Sequence, residues 1–404
     1  MKSTRAAFAL ALTFGAFASM AQGQGLLSIG SNSDDFEQDD IPLNWTVSGY
    51  VGYDSNINST DSAEEESLYL QAGVGSQWSG GSRVTRYTLG ASASVLYYFE
   101  DVSVNDDENL YYSARLQGSV VHRASRRLTL ADSFYVTYEY EPNQAIGATV
   151  SRRTDQYFYV YNNASLSYAW TRRFSTVANW AFSGIYYEGS DVEDRDTNRF
   201  GLQGRYAWTR NTSLVGEYRF AITEYERGTH DYTSNYVLVG VDHAFSRLTR
   251  GNIRAGAEFR DYDRSGSDDD TSPYVEASLV QTLNEGFSLR WAFRYGLEDS
   301  ELGSFEKRQS FRTGVTAQYE FDPRLTGTAG ITYVQSELED SRFAGVDDGD
   351  EDFVGLNLGL SYLLYSNVRV EGGYSFGMLD SGIDAGVSRD FDRHRVWVGM
   401  TASF

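Results

Sequence analysis

Trp45-Thr46-Val47-Ser48-Gly49-Tyr50-Val51-Gly52-Tyr53 alternates strictly. Trp45, Val47, Gly49, Val51 and Tyr53 fall on one face of an extended chain, and Thr46, Ser48, Tyr50 and Gly52 on the other. A period of two sustained over this length predicts a strand with one apolar and one polar face. The same period returns in Leu68, Leu70, Ala72 and Val74, and in Tyr87, Leu89, Ala91, Ala93, Val95, Tyr97 and Phe99. Composition points the same way: 30 Tyr, 23 Phe and 39 Gly stand against 4 Pro in 404 residues. Flat rings suit a pleated, half-buried surface, and proline does not. Beyond the N-terminus no segment reads as a long amphipathic helix.

A repeat sharpens the reading. Tyr168-Ala169-Trp170-Thr171-Arg172-Arg173 resembles Tyr206-Ala207-Trp208-Thr209-Arg210-Asn211. His243-Ala244-Phe245-Ser246-Arg247 is a third copy and Tyr319-Glu320-Phe321-Asp322-Pro323-Arg324 a fourth. Thr171, Thr209 and Ser246 follow one another at about 37 residues, which suits one hairpin with its loop and points to a stacked or closed repeat architecture. In each unit a strand descends to an aromatic residue, turns tightly, and ascends to a second aromatic position before a longer acidic loop. The descending ends carry Trp170, Trp208, Phe245 and Phe321. The ascending ends carry Tyr97 and Phe99, Tyr138 and Tyr140, Phe293 and Tyr295, and Tyr374 and Phe376. Alternation places all of them on the apolar face. Two aromatic bands at the ends of an apolar face are the girdles of a membrane barrel, where rings sit at headgroup level.

Connection lengths set the count. Short turns are expected near 80–83, 122–127, 171–173, 209–212, 246–251, 283–286, 322–324 and 365–367. Long loops are expected near 54–66, 100–108, 141–155, 188–197, 223–233, 261–272, 298–308, 335–352 and 377–392. Eight turns and nine loops predict an all-β chain, an antiparallel transmembrane β-barrel of about eighteen strands, with sixteen or twenty as alternatives. Short turns belong to the periplasmic side and long loops to the outside, and an even count puts both termini in the periplasm. A closed sheet satisfies every backbone group, which lipid requires.

The ends of the chain fit export to an outer membrane. Lys2 and Arg5 precede an uncharged stretch from Ala6 to Ala21, and Ser19-Met20-Ala21 offers small residues for cleavage, so residues 1–21 read as a signal peptide. Residues 22–43, with Asp34, Asp35, Glu37, Asp39 and Asp40, read as an acidic periplasmic tail, and 44–404 as the barrel. The last strand alternates to a terminal Phe404, an ending that resembles the signal read by the barrel-assembly machinery. Outer-membrane lipid and lipopolysaccharide are the expected surroundings; the sequence does not set the oligomeric state.

The absence of Cys excludes disulfides, thiol metal sites and lipid attachment through a thiol. A net charge of −22 excludes nucleic acid as a partner, since phosphate binding needs a basic surface. The runs Asp268-Asp269-Asp270 and Asp347 to Asp352 lack the spacing of a calcium loop and read as solvated loops, so no metal and no cofactor is expected. Of four His, His122 lies at a turn, His230 in a loop, and His243 and His394 on the lipid-facing parity. None reads as the base of a nucleophile pair, and no enzyme is expected. The polar parity carries Arg199, Arg205, Arg219, Arg254, Arg260, Arg290, Arg294 and Arg312, together with Glu217, Glu258, Glu276 and Glu320. These are candidates to line the lumen. They would orient polar solutes, brace the wall as cross-strand ion pairs, or do both.

The opening Gly49-Tyr50-Val51-Gly52-Tyr53-Asp54-Ser55-Asn56-Ile57, the Trp-Thr-Arg turns and the ending Arg393-His394-Arg395-Val396-Trp397-Val398-Gly399 resemble the Putative beta-barrel porin 2 family over nearly all of the mature chain. The resemblance implies an outer-membrane barrel without catalytic residues, and some members are associated with exopolysaccharide gene clusters. Three functions follow as expectations: a porin-like channel for small polar solutes, a component of exopolysaccharide or surface-polymer export, and a loop-displaying structural surface protein.

Overall fold

The computed structural model describes residues 43–61, 64–100, 109–140, 156–188, 193–226, 228, 231–263, 269–284, 286–298, 305–341, 348–383 and 389–404. The expected signal peptide and almost all of the acidic tail lie outside them.

Eighteen strands follow in chain order. They are β1 (Asn44–Asp54), β2 (Ser67–Gly81), β3 (Thr85–Tyr98), β4 (Leu110–His122), β5 (Leu128–Glu139), β6 (Tyr157–Ala169), β7 (Phe174–Tyr187), β8 (Arg195–Ala207) and β9 (Thr212–Tyr225), then β10 (Tyr232–Ala244), β11 (Thr249–Tyr262), β12 (Asp270–Asn284), β13 (Phe287–Glu298), β14 (Phe305–Asp322), β15 (Leu325–Ser341), β16 (Gly349–Tyr365), β17 (Val368–Ser381) and β18 (Phe391–Ser403). Each strand pairs antiparallel with its sequence neighbours, and β1 pairs with β18 from Thr46↔Ser403 to Asp54↔Arg395, so the sheet closes. At the seam Trp45 and Phe404 exchange backbone hydrogen bonds of 3.0 and 2.8 Å. Closure leaves no edge to pair with another chain.

The aromatic–hydroxyl–arginine repeat is explained by its turns. A short polar side chain accepts the backbone N–H groups that a tight turn leaves orphaned. Thr171 Oγ1 accepts from the N–H of Arg173 and Phe174 at 3.2 and 3.0 Å, and Asp322 Oδ1 from Arg324 and Leu325 at 2.7 and 3.0 Å. Thr209 and Ser246 do the same for Asn211 and Leu248. Ser82 and Ser125, outside the repeat as read from sequence, close their turns by the same device.

All the short turns lie at one end of the barrel, with the chain entering β1 and leaving β18 there. Most connections at the other end are shorter than expected, while those after β3 and β5 are slightly longer and the one after β1 is as expected. β15 runs to Ser341 and β16 starts at Gly349, so most of the expected loop 335–352 is strand, and β17 likewise reaches Ser381 inside the expected loop 377–392. The reason is that polar side chains resemble a loop while their backbones still pair, as in Gln335↔Asp352, Ser336↔Glu351 and Glu337↔Asp350.

The two faces invert the arrangement of a soluble protein. Val239, Leu202 and Val74 are 68%, 58% and 57% exposed on the outside, while Arg219 and Glu258 are buried inside at 2% and 0%. Apolar side chains outside and charged ones inside are stable only where the outer solvent is lipid. Tyr97, Phe99, Trp170, Trp208, Phe245 and Phe321 are exposed on the outer face. Tyr138, Phe293, Tyr295, Tyr374 and Phe376 are half-buried there among other rings, with Tyr138 4.6 Å from Phe158 and Phe293 5.3 Å from Phe311. Tyr140 departs from the band. It packs on the buried Tyr111 at 5.3 Å, because β5 ends at Glu139 and alternation no longer sets its direction.

Candidate functional site: the barrel interior

Register decides which inner charges meet. On β8 to β12 they form one chain of ion pairs. Arg205 Nη2 lies 3.1 Å from Asp242, which Arg254 Nη2 reaches at 2.6 Å. Arg254 Nε lies 3.5 Å from Glu217, and Glu217 also bonds Arg219 Nε. Arg219 then grips Glu276 with both terminal nitrogens, at 2.6 and 3.1 Å. Tyr274 donates to the same carboxylate at 2.7 Å. Two-pronged Arg–carboxylate pairs of this kind combine strength with fixed geometry.

A second group continues the wall. Arg294 and Arg312 stand directly opposite each other on β13 and β14, a repulsive pairing by register. Glu298 resolves it, 2.9 Å from Arg312 Nη2 and 3.8 Å from Arg294 Nη1. Arg260 Nη2 bonds Glu258 at 2.9 Å and its guanidinium lies 4.1 Å from the Tyr232 ring. Gly240 makes room for the first group: a Cβ there would stand 2.6 Å from Arg254 Cδ and 2.1 Å from the Ile253 carbonyl.

Three candidates remain outside these chains of ion pairs. Arg199 sits on β8 opposite Ala181 and Ala221. Arg290 is exposed on the inner parity of β13, opposite Val280 and Thr316. Glu320 is half-buried at the turn end of β14, where its N–H donates to Gly286 O at 2.7 Å.

Several inner partners escaped the sequence reading, among them Asp242, Glu298 and Asp54, together with Arg393, Arg395 and Glu371. Alternation alone would have placed Asp242 inside, on the parity of Tyr236 and Leu238. Asp54 and Glu298 end their strands and so read as loop. Asp54, fully buried, accepts from Arg393 Nε at 2.9 Å and lies 3.1 Å from Arg395 Nε. Beside it on the same seam, Tyr50 and Thr401 both donate to Glu371 at 2.9 Å. The wall from β4 to β7 is aromatic instead, with Tyr135 5.5 and 5.3 Å from Tyr159 and Tyr161 and Arg115 4.7 Å over the Tyr135 ring.

The described histidines lie on the outer face: His122 bonds Thr85 at 2.8 Å, His243 bonds Thr212 at 2.9 Å and His394 bonds Tyr374 at 2.8 Å. His230 lies outside the described residues. Of the acidic runs, Asp270 is paired with Lys307 Nζ at 2.9 Å and Glu351 with Arg389 Nε at 2.6 Å. Asp268 and Asp347 lie outside the described residues.

A family model described as Putative beta-barrel porin 2 matches residues 43–404, the whole barrel. The chain belongs to this family. As a Putative beta-barrel porin 2 protein it is an outer-membrane β-barrel of the porin type, in keeping with the inverted faces and the aromatic bands. Three similar solved structures follow. OpdK, an outer membrane protein of Pseudomonas aeruginosa, is 10% identical over 90% of this chain and 98% of its own, with a TM-score of 0.48. OccK2 (OpdF) of Pseudomonas aeruginosa, solved in complex with glucuronate, is 12% identical over 90% and 98%, with a TM-score of 0.47. OccAB4 of Acinetobacter baumannii is 13% identical over 91% and 99%, with a TM-score of 0.46. No curated protein matches the chain.

Proposed function

We propose that this porin-family barrel is a passive, non-enzymatic channel for small polar solutes, with both termini on the periplasmic side and Phe404 serving as its assembly signal. The observation that carries the reading is a closed eighteen-stranded wall, apolar outside and charged inside. Sixteen to eighteen strands leave an interior wide enough for water, whereas about eight leave room only for side chains. Short turns on the periplasmic side and longer loops outside support the orientation. Reconstituted in planar bilayers, the folded protein is expected to open in discrete conductance steps. A folded preparation that never conducts overturns the channel.

Inner arginines divide into two kinds, and the division is testable. Arg290 is exposed and stands apart from the ion-paired groups, while Arg294 is tied to Glu298 and to the Leu297 carbonyl at 3.3 Å. Arg290→Glu is expected to move reversal potentials in a salt gradient toward cation preference without loss of folded protein. Arg294→Glu would act on stability instead, by placing a carboxylate against Glu298. An unchanged reversal potential in Arg290→Glu removes that side chain from the solute path.

A further inference from the structure

The repeated turn unit carries one component that neither the fold nor the channel uses. Its ring lies on the outer face and its hydroxyl or carboxylate closes the turn. Its arginine points to a partner outside the protein. Five successive turns around the barrel, at 82–84, 123–127, 170–173, 208–211 and 245–248, contain arginine and no Asp or Glu, in a chain whose net charge is −22. Arg83, Arg126, Arg172, Arg173, Arg210 and Arg247 are all exposed. Each of the last three turns sets its arginine within three residues of an outward ring: Trp170, Trp208 or Phe245.

Geometry makes these arginines act together. Successive turns are two strands apart, about 10 Å, close to the screening length of about 8 Å in physiological salt. An arc of like charge at that spacing repels itself unless a layer of anions faces it. A ring at the edge of the hydrocarbon with a guanidinium one step farther out matches a lipid whose phosphate lies just beyond its acyl chains. A soluble polyanion would use the arginines but would have no use for the adjoining rings.

We propose that this arc binds the headgroups of anionic phospholipid in the leaflet at the turn end of the barrel. Guanidinium groups would take the phosphates in paired hydrogen bonds while the rings pack at the top of the chains. The inference needs the membrane barrel but not the channel, so a barrel that never conducts leaves it standing.

The full chain, folded in vesicles of equal parts phosphatidylcholine and phosphatidylglycerol, is extracted in mild detergent, and the retained lipid is counted by mass spectrometry. Wild type is expected to retain phosphatidylglycerol in clear excess. The triple substitution Arg172→Gln, Arg173→Gln and Arg210→Gln is expected to cut that excess by at least about fivefold, and the matching Lys substitutions to keep part of it. Heat-modifiable gel migration confirms that each variant is folded. If the triple variant fails to fold, Arg126→Gln with Arg247→Gln on separate turns supplies the same readout. Equal retention of the two lipids by wild type, or an unchanged excess in the folded Gln variants, overturns the proposal.

Discussion

Glu276→Leu is expected to lower the unfolding free energy by about 3–5 kcal/mol, measured by urea titration of the protein in lipid vesicles. Glu276 is 4% exposed and holds both terminal nitrogens of Arg219, itself 2% exposed. Removing the carboxylate leaves a buried guanidinium whose other anion, Glu217, is already shared with Arg254. The cost comes from the stranded charge more than from the pair's own worth. Arg219→Met combined with Glu276→Leu should therefore recover much of the loss, because neither charge is then left alone. If the double variant is as unstable as the single one, the chain of ion pairs is not what holds this wall. Full stability of the single variant would show that water reaches Arg219 and takes over for Glu276.

Val74→Arg is expected to cost about 2–4 kcal/mol, the price of an arginine facing the middle of a bilayer from a barrel strand. Val74 is exposed on the outer face of β2, where it stands between Val47 and Ala93. Ser92→Arg tests the opposite face with the same side chain. Ser92 lies on the inner parity of β3, next in sequence to Ala93 and opposite Gly75. There the guanidinium meets water and polar neighbours, and a loss below about 1 kcal/mol is expected. The two variants add the same group to adjacent strands at nearly the same depth, so only the face differs. Equal losses would mean that the outer face does not meet lipid.

The faces and the count were legible because both are written locally. Alternation in Trp45 to Tyr53 assigns inside and outside without any tertiary contact, since successive side chains of a strand must diverge. Thr171, Thr209, Ser246 and Asp322 mark turns because each closes its own turn with its own side chain. Strand ends were harder to read. Asp54 and Glu298 resemble loop residues by chemistry, yet their backbones still pair, with Arg395 and Arg308 respectively. Tyr140 failed in the other direction: its parity pointed outward, but parity holds only as long as the strand does.

From its sequence alone this protein is determined to be an outward-apolar, inward-polar barrel of about eighteen strands with short turns at one end. Those properties depend on period, spacing and turn chemistry, each contained within a few dozen residues. Which charges neutralise one another was decided only by the closed sheet. Asp54 meets Arg393 and Arg395 because β1 returns to β18, and Glu298 separates Arg294 from Arg312 because one register sets those arginines face to face. Pairing depends on distance in space, and distance across a barrel is set by closure and stagger, which no local stretch of sequence contains.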